Sequence, residues 1–163
     1  MPKLQTIAAG GLSLVNSAYV PEDPAVQIDV LIVNGEIVDG SGDPVFKQDV
    51  AIKGDRIVAI GNLRDFSARH VIDATGLILS PGFIDVHTHD DLELLRNPRM
   101  INKISQGVTS VIIGNCGISA SPYESESIPP DPINLLGKTD EFLYRSLQDY
   151  IDQYAHSRPY LNA

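Results

Sequence analysis

The sequence predicts an α/β chain, a small antiparallel β module followed by the opening of a (β/α)8 barrel. Three observations carry the prediction. Short alternating runs separated by turn dipeptides fill residues 29–80. After Pro81-Gly82 the pattern changes to strand, helix, strand, helix. His87-Thr88-His89 and Cys116 then fall at the ends of two of the later strands, where barrels of this kind place their chemistry.

Residues 1–28 read as an N-terminal arm. Lys3 and the small-residue apolar segment behind it form a marginal secretory leader, interrupted by Gly10, Gly11 and Asn16, so export is kept as the alternative to a cytoplasmic chain. Residues 29–80 read as a small β-sandwich-like module. Asp29–Val33 and Glu36–Gly40 flank Asn34-Gly35, and Asp49–Lys53 and Arg56–Ile60 flank Gly54-Asp55, which predicts two hairpins. His70–Ala74 and Leu77–Ser80 add two strands around Thr75-Gly76.

Residues 81–163 read as about two and a half βα units, the first strands and helices of a truncated barrel. Phe83–His87 is a strand. Asn97-Pro98 offers an N-cap and a first-turn proline for a helix through Met100, Ile101 and Ile104 that stops at Gly107. Val108–Gly114 is nearly continuous in apolar and small residues, as a parallel strand covered on both faces would be. A long Pro-rich connection follows, its acidic Glu124–Glu126 reading as solvated loop. An amphipathic helix then spans Asp140–His156 with Phe142, Leu143, Leu147, Tyr150, Ile151 and Tyr154 at helical spacing, and Pro159 leads into the start of another strand.

Composition narrows the function. A net charge of −9, with no cluster of Lys or Arg, argues against nucleic acid and anionic membrane as partners, and no apolar run approaches the ~20 residues needed to span a bilayer. The single cysteine rules out an intramolecular disulfide.

That cysteine and the histidines are the candidate site. In an extended strand Asp85, His87 and His89 share one face, while Val86 and Thr88 take the other. Adjacent parallel strands would bring two imidazoles and one thiolate to one rim. These donors suit Zn²⁺, and a catalytic zinc keeps a position open for water, whose pKa it lowers to ≈ 7. Asp85 is the candidate to orient an imidazole. His70 and His156 read as structural or solvated; Asp90 and Asp91 read as mouth residues or as caps of the short Asp91–Leu95 turn. Cys116 as an inert thiol, or as the nucleophile of an elbow, is the competing reading.

The run VIDATGLILSPGFIDVHTHDD resembles the signature of the amidohydrolase superfamily. GVTSVIIGNCGIS, followed by INLLG at 133–137, is similar more narrowly to the N-acyl-D-amino-acid deacylases, or D-aminoacylases. The resemblance runs from about Asp29 to the end of the chain. It implies that His87, His89 and Cys116 are metal ligands for one or two zinc ions. It also implies a small-molecule N-acyl-D-amino acid as substrate and hydrolysis of its linear amide. The same resemblance implies an incomplete, N-terminal portion: further histidine ligands and the proton-shuttling acid are expected beyond Ala163. The isolated chain is then expected to be inactive and to self-associate through unfinished barrel faces. Two alternatives stay open, a cyclic-amide hydrolase like the dihydropyrimidinases and a non-enzymatic remnant that binds metal or a partner.

Overall fold

Strands β4 (Asp49–Lys53) and β5 (Arg56–Gly61) form the hairpin expected around Gly54-Asp55, with Lys53 opposite Arg56 and Gly54 in the left-handed region at φ 58°. The computed structural model describes residues 28–124, 127 and 129–163. The expectations for residues 1–27, a leader or an arm, and for Glu126 lie outside the described residues. The chain divides into two units, one ending at Gly82 and the other running from Phe83 to Ala163. No helix among the described residues is long and apolar enough to cross a membrane.

In the first unit, β1 (Ile28–Val33) pairs antiparallel with β4 and parallel with β6 (Ala68–Asp73), giving the sheet order β5-β4-β1-β6. A second sheet joins β2 (Glu36–Ile37) antiparallel to β3 (Phe46–Lys47) and parallel to β7 (Ile78–Leu79). The module is therefore mixed, not purely antiparallel. The hairpin expected at Asn34-Gly35 does not form, because β1 and β2 belong to different sheets. A type I′ turn needs both central residues at positive φ, and only Asn34 is (63°).

Instead Asn34 is a corner between sheets. Its N–H donates to Asp49 Oδ1 at 3.2 Å, its side-chain amide donates to Asp73 Oδ1 at 3.0 Å, and Asp49 Oδ2 accepts the Leu63 N–H at 3.1 Å. Burial explains the corner. Leu31 and Ile32 point to opposite faces of β1, Leu31 into a cluster with Ile28, Ala51, Ala59 and Leu63, Ile32 into one with Ile37, Val50 and Ala74. Turning at Asn34 delivers Ile37 to the second cluster, which a hairpin would have left uncovered.

In the second unit, β8 (Phe83–Asp85) pairs parallel with β9 (Val108–Val111). On the other edge of β9 the chain near its end pairs in parallel: Ser110 bridges Asn162, with Val111 N–H donating to Asn162 O and Asn162 N–H to Thr109 O. Three parallel segments thus lie side by side in chain order. Helix α1 (Asp91–Arg96) packs on two clusters. Leu92 joins Ala120, Leu136 and Phe142, and Leu94 joins Met100, Val111 and Leu161.

Three expectations need correction here. Asn97 does not start a helix; its N–H bonds back to Glu93 O and ends α1, and α2 (Ile101–Ile104) begins only after Met100, which is held at φ 42° with its side chain fully buried. The sequence DLELLR winds first, and Pro98 cannot continue it. The last helix, α3 (Leu147–Ser157), is shorter than expected. Ser146 and Asp149 form a capping box that starts it, while Phe142 is buried in a loop and Leu143–Tyr144 (β11) pairs with Tyr123–Glu124 (β10). Finally, the run expected to be covered on both faces is covered only in part: Thr109 and Val111 are buried, while Ile112 is 45% exposed.

Candidate metal centre

Strand β8 ends at Asp85, and the following loop carries both histidines; strand β9 ends at Val111, and the following loop carries Cys116. Gly114 and Gly117, at φ 70° and 84°, reverse the second loop, closed by Gly117 N–H donating to Gly114 O at 2.9 Å. Left-handed geometry at both positions is what glycine permits without a Cβ penalty. The turn brings Cys116 beside the loop that follows β8.

One ring nitrogen from each of His87 and His89 and the Cys116 sulfur all lie within 4.8 Å of one another, and all three residues are exposed. Cys116 Sγ is 3.8 Å from His89 Nδ1 and 3.9 Å from Nε2. The two rings meet edge to face with centroids 5.5 Å apart. For comparison, bonds of roughly 2.3 Å to sulfur and 2.0–2.1 Å to nitrogen at a tetrahedral ion separate the two donors by about 3.6 Å. Among the described residues this is the one group of three such side chains so gathered; His70 on β6 and His156 on α3 stand exposed and outside it.

Asp85 sits differently from the strand-face expectation. Because β8 ends there, the two-residue alternation does not carry on through the histidines. Asp85 Oδ1 accepts the main-chain N–H of His87 at 3.2 Å, and Oδ2 lies 2.6 Å from Lys103 Nζ. Neither contact is to an imidazole ring. Lys103, from α2, also reaches Asp90 Oδ2 at 2.5 Å and Thr88 Oγ1 at 2.9 Å, and Thr88 in turn donates to Asp90 Oδ2. The hydrogen bond from Lys103 holds the Asp85 carboxyl below the usual carboxylate range. Burial pulls the Lys103 ammonium down, but its bonds to Asp85 and Asp90 more than reverse that and leave it above the ordinary lysine range.

The sequence reading passed over Lys103, whose only signal was a lone cation in a short apolar helix. It also gave Asn115 no role of its own, yet the Asn115 amide donates to Val86 O at 2.7 Å and ties one loop to the other. Asp90 and Asp91 do not cap α1 with their side chains. Asp90 is taken by Thr88 and Lys103, and Asp91 is fully buried, accepting from Ala120 N–H at 2.9 Å and Ser119 Oγ at 3.2 Å.

An α/β unit with imidazoles and a thiol gathered at the C-terminal ends of adjacent parallel strands defines a class, proteins with a candidate metal centre on a strand-end rim. Residues 70–154 match the model of the amidohydrolase family. The chain is 47% identical over 124 residues to a D-aminoacylase of Alcaligenes xylosoxydans xylosoxydans, covering 76% of this chain and 25% of that one. It is 43% identical over 141 residues to an N-acyl-D-aspartate deacylase of the same organism, covering 86% and 28%. Among solved structures, a D-aminoacylase studied for the functional role of its binuclear metal center superposes with a TM-score of 0.80 at 44% identity, covering 83% of this chain and 28% of that one. An N-acyl-D-glutamate deacylase from Bordetella bronchiseptica, complexed with zinc and a phosphonate inhibitor, gives 0.77 at 41%, with the same coverage. This chain belongs to the amidohydrolase family, in its D-aminoacylase branch. It spans about a quarter of the length of the curated relatives it matches.

Proposed function

We propose that a protein containing this chain hydrolyses the amide bond of N-acyl-D-amino acids, and that this chain contributes the opening strands of a (β/α)8 barrel and three zinc ligands, His87, His89 and Cys116. The observation that carries the reading is the convergence of those three donors from two loops to within 4.8 Å of one another, with Cys116 Sγ and His89 Nδ1 3.8 Å apart, near the spacing around one tetrahedral ion. Bound there, zinc supplies Lewis acidity, polarising an amide carbonyl and making water nucleophilic near neutral pH.

The chain's own residues would hold that ion and fix its surroundings. Asp85 anchors the His87 main chain, and the Lys103 ammonium engages both Asp85 and Asp90, its one charge offsetting one of their two. With both of these carboxylates committed to an ammonium, the described site offers no ready acid for the departing amine, and the isolated chain is expected not to turn over. The deacylases among its relatives support linear amides of D-amino acids over cyclic amides as the substrate class.

The test is zinc-dependent release of a free D-amino acid from an N-acetyl-D-amino acid by the protein expressed from its full reading frame. The L-enantiomer should react poorly. A protein that opens dihydropyrimidine rings and leaves acyl-D-amino acids intact would overturn the reading.

A further inference from the structure

The two loops that carry the donors are tied together on both sides of them. Before the donors, the Asn115 side-chain amide donates to the carbonyl of Val86, so the residue preceding Cys116 is tied to the residue preceding His87. After them, the Asp91 carboxylate, two positions beyond His89, accepts from Ser119 Oγ and Ala120 N–H, three and four positions beyond Cys116.

Stability alone explains neither tie. The Asn115 bond is exposed, where water competes for both partners and the net gain is small. Asp91 is fully buried with Oδ2 making no hydrogen bond to any described residue, an arrangement that costs stability and that an apolar side chain would avoid. Local violations of this kind concentrate where geometry is kept for function.

We propose that Asn115 and Asp91 are paired positioning residues that set the separation of Cys116 from His87 and His89, and hence the affinity and geometry of the metal site. This rests on the metal reading above. Each tie fixes one flank of the Cys116 loop, so releasing either lets the sulfur swing away from His89 while leaving the ligands themselves in place.

The experiment titrates the chain with Co²⁺ and follows the near-ultraviolet thiolate-to-cobalt band, with Cys116→Ser as the control that abolishes it. Asn115→Ala and Asp91→Ala should each weaken Co²⁺ binding by about ten- to hundredfold, as loss of groups that orient ligands does elsewhere, and should diminish or shift the band. Asp91→Asn keeps the Oδ1 acceptor and should restore both. Asn115→Ala should leave the far-ultraviolet circular dichroism and the thermal midpoint unchanged. Should Asp91→Ala fail to fold, Asn115→Ala and Ser119→Ala decide the matter. Wild-type affinity and an unaltered band in Asn115→Ala, with the wild-type band present, would overturn the proposal alone. A wild-type chain whose cobalt spectrum is indifferent to Cys116→Ser would remove the metal reading and this proposal together.

Discussion

Cys116 Sγ stands 3.8 Å from Nδ1 of His89 across 27 positions of sequence. A contact of that kind between two exposed side chains gains little in water, and on the proposed reading it serves to hold a metal ion. Cys116→Ser and His89→Ala should each lower the zinc retained after dialysis well below that of the unaltered chain, measured by elemental analysis. Equal zinc in Cys116→Ser would take the sulfur out of the site.

Lys103 pairs with two carboxylates at once, offsetting one of their two charges, with its side chain only 16% exposed. Lys103→Met would strand Asp85 and Asp90 facing one another, and part-burial places the cost at about 1–3 kcal/mol, below that of breaking a fully buried pair. Urea denaturation should show a lower midpoint with an unchanged slope. A midpoint equal to wild type would mean that the ammonium does no structural service there.

Gly137, the last residue of INLLG, has no room for a side chain. A Cβ there would lie 2.5 Å from Leu92 Cδ1 and from Arg96 Nη2, and 2.8 Å from Glu141 Oε2. The Arg96 tip can move, but Leu92 is packed in the cluster with Phe142. Gly137→Ala should therefore destabilise the second unit by about 1–3 kcal/mol, the usual cost of overpacking. Retained stability in a thermal melt would show that α1 can shift outward.

Acid should loosen the same corner. Hydrogen bonds from the Arg96 guanidinium and the Lys138 N–H hold the Glu141 carboxyl below its ordinary range. A carboxyl lowered on folding contributes stability that is complete above its unfolded value, about 4.3, and is lost as pH falls through the lower folded value. Between pH 5 and 8 this pair should confer no pH dependence. Glu141→Gln should flatten the acid limb of the stability curve; an acid limb identical to wild type would show that the pair is too well hydrated to matter.

Phe83, Ile84, Val86 and Ile112 leave apolar surface exposed around β8 and β9, and Leu147 and Ile151 leave more on α3. Surfaces of this kind drive association. Sedimentation of the isolated chain should show concentration-dependent self-association, reduced in Ile84→Ser with Val86→Ser. A monomer at all concentrations would contradict the expectation.

The sequence made some of this legible because the physics was local. Gly54-Asp55 forms its hairpin from turn chemistry alone, and the strand-end rule brought His87, His89 and Cys116 together although β8 and β9 are far apart in the chain. Where a distant packing demand competes with a local preference, the reading failed. Asn34-Gly35 has hairpin chemistry, yet Ile37 is needed in the cluster around Ile32, and the chain turns a corner instead. Phe142 falls on the helical period of α3, but a buried place beside Leu92 and Ala120 pulls it out of the helix, and Ser146 then starts it later. Lys103 and Asn115 were invisible because their roles depend on partners 18 and 29 positions away, a relation that no periodicity records.

The position of β9 has a bearing on how the chain is made. One edge of β9 bonds to β8, which precedes it, and the other bonds to Asn162, which comes 52 residues after Ser110. Synthesis from the N-terminus therefore releases both histidines, the cysteine and both ties between their loops by the time Ala120 has emerged, with that far edge of β9 still bare. All three donors thus precede in synthesis the segment that pairs with the outer edge of β9, so a cation captured at that moment would pin the β8–β9 pair while Asn162 is still to be translated.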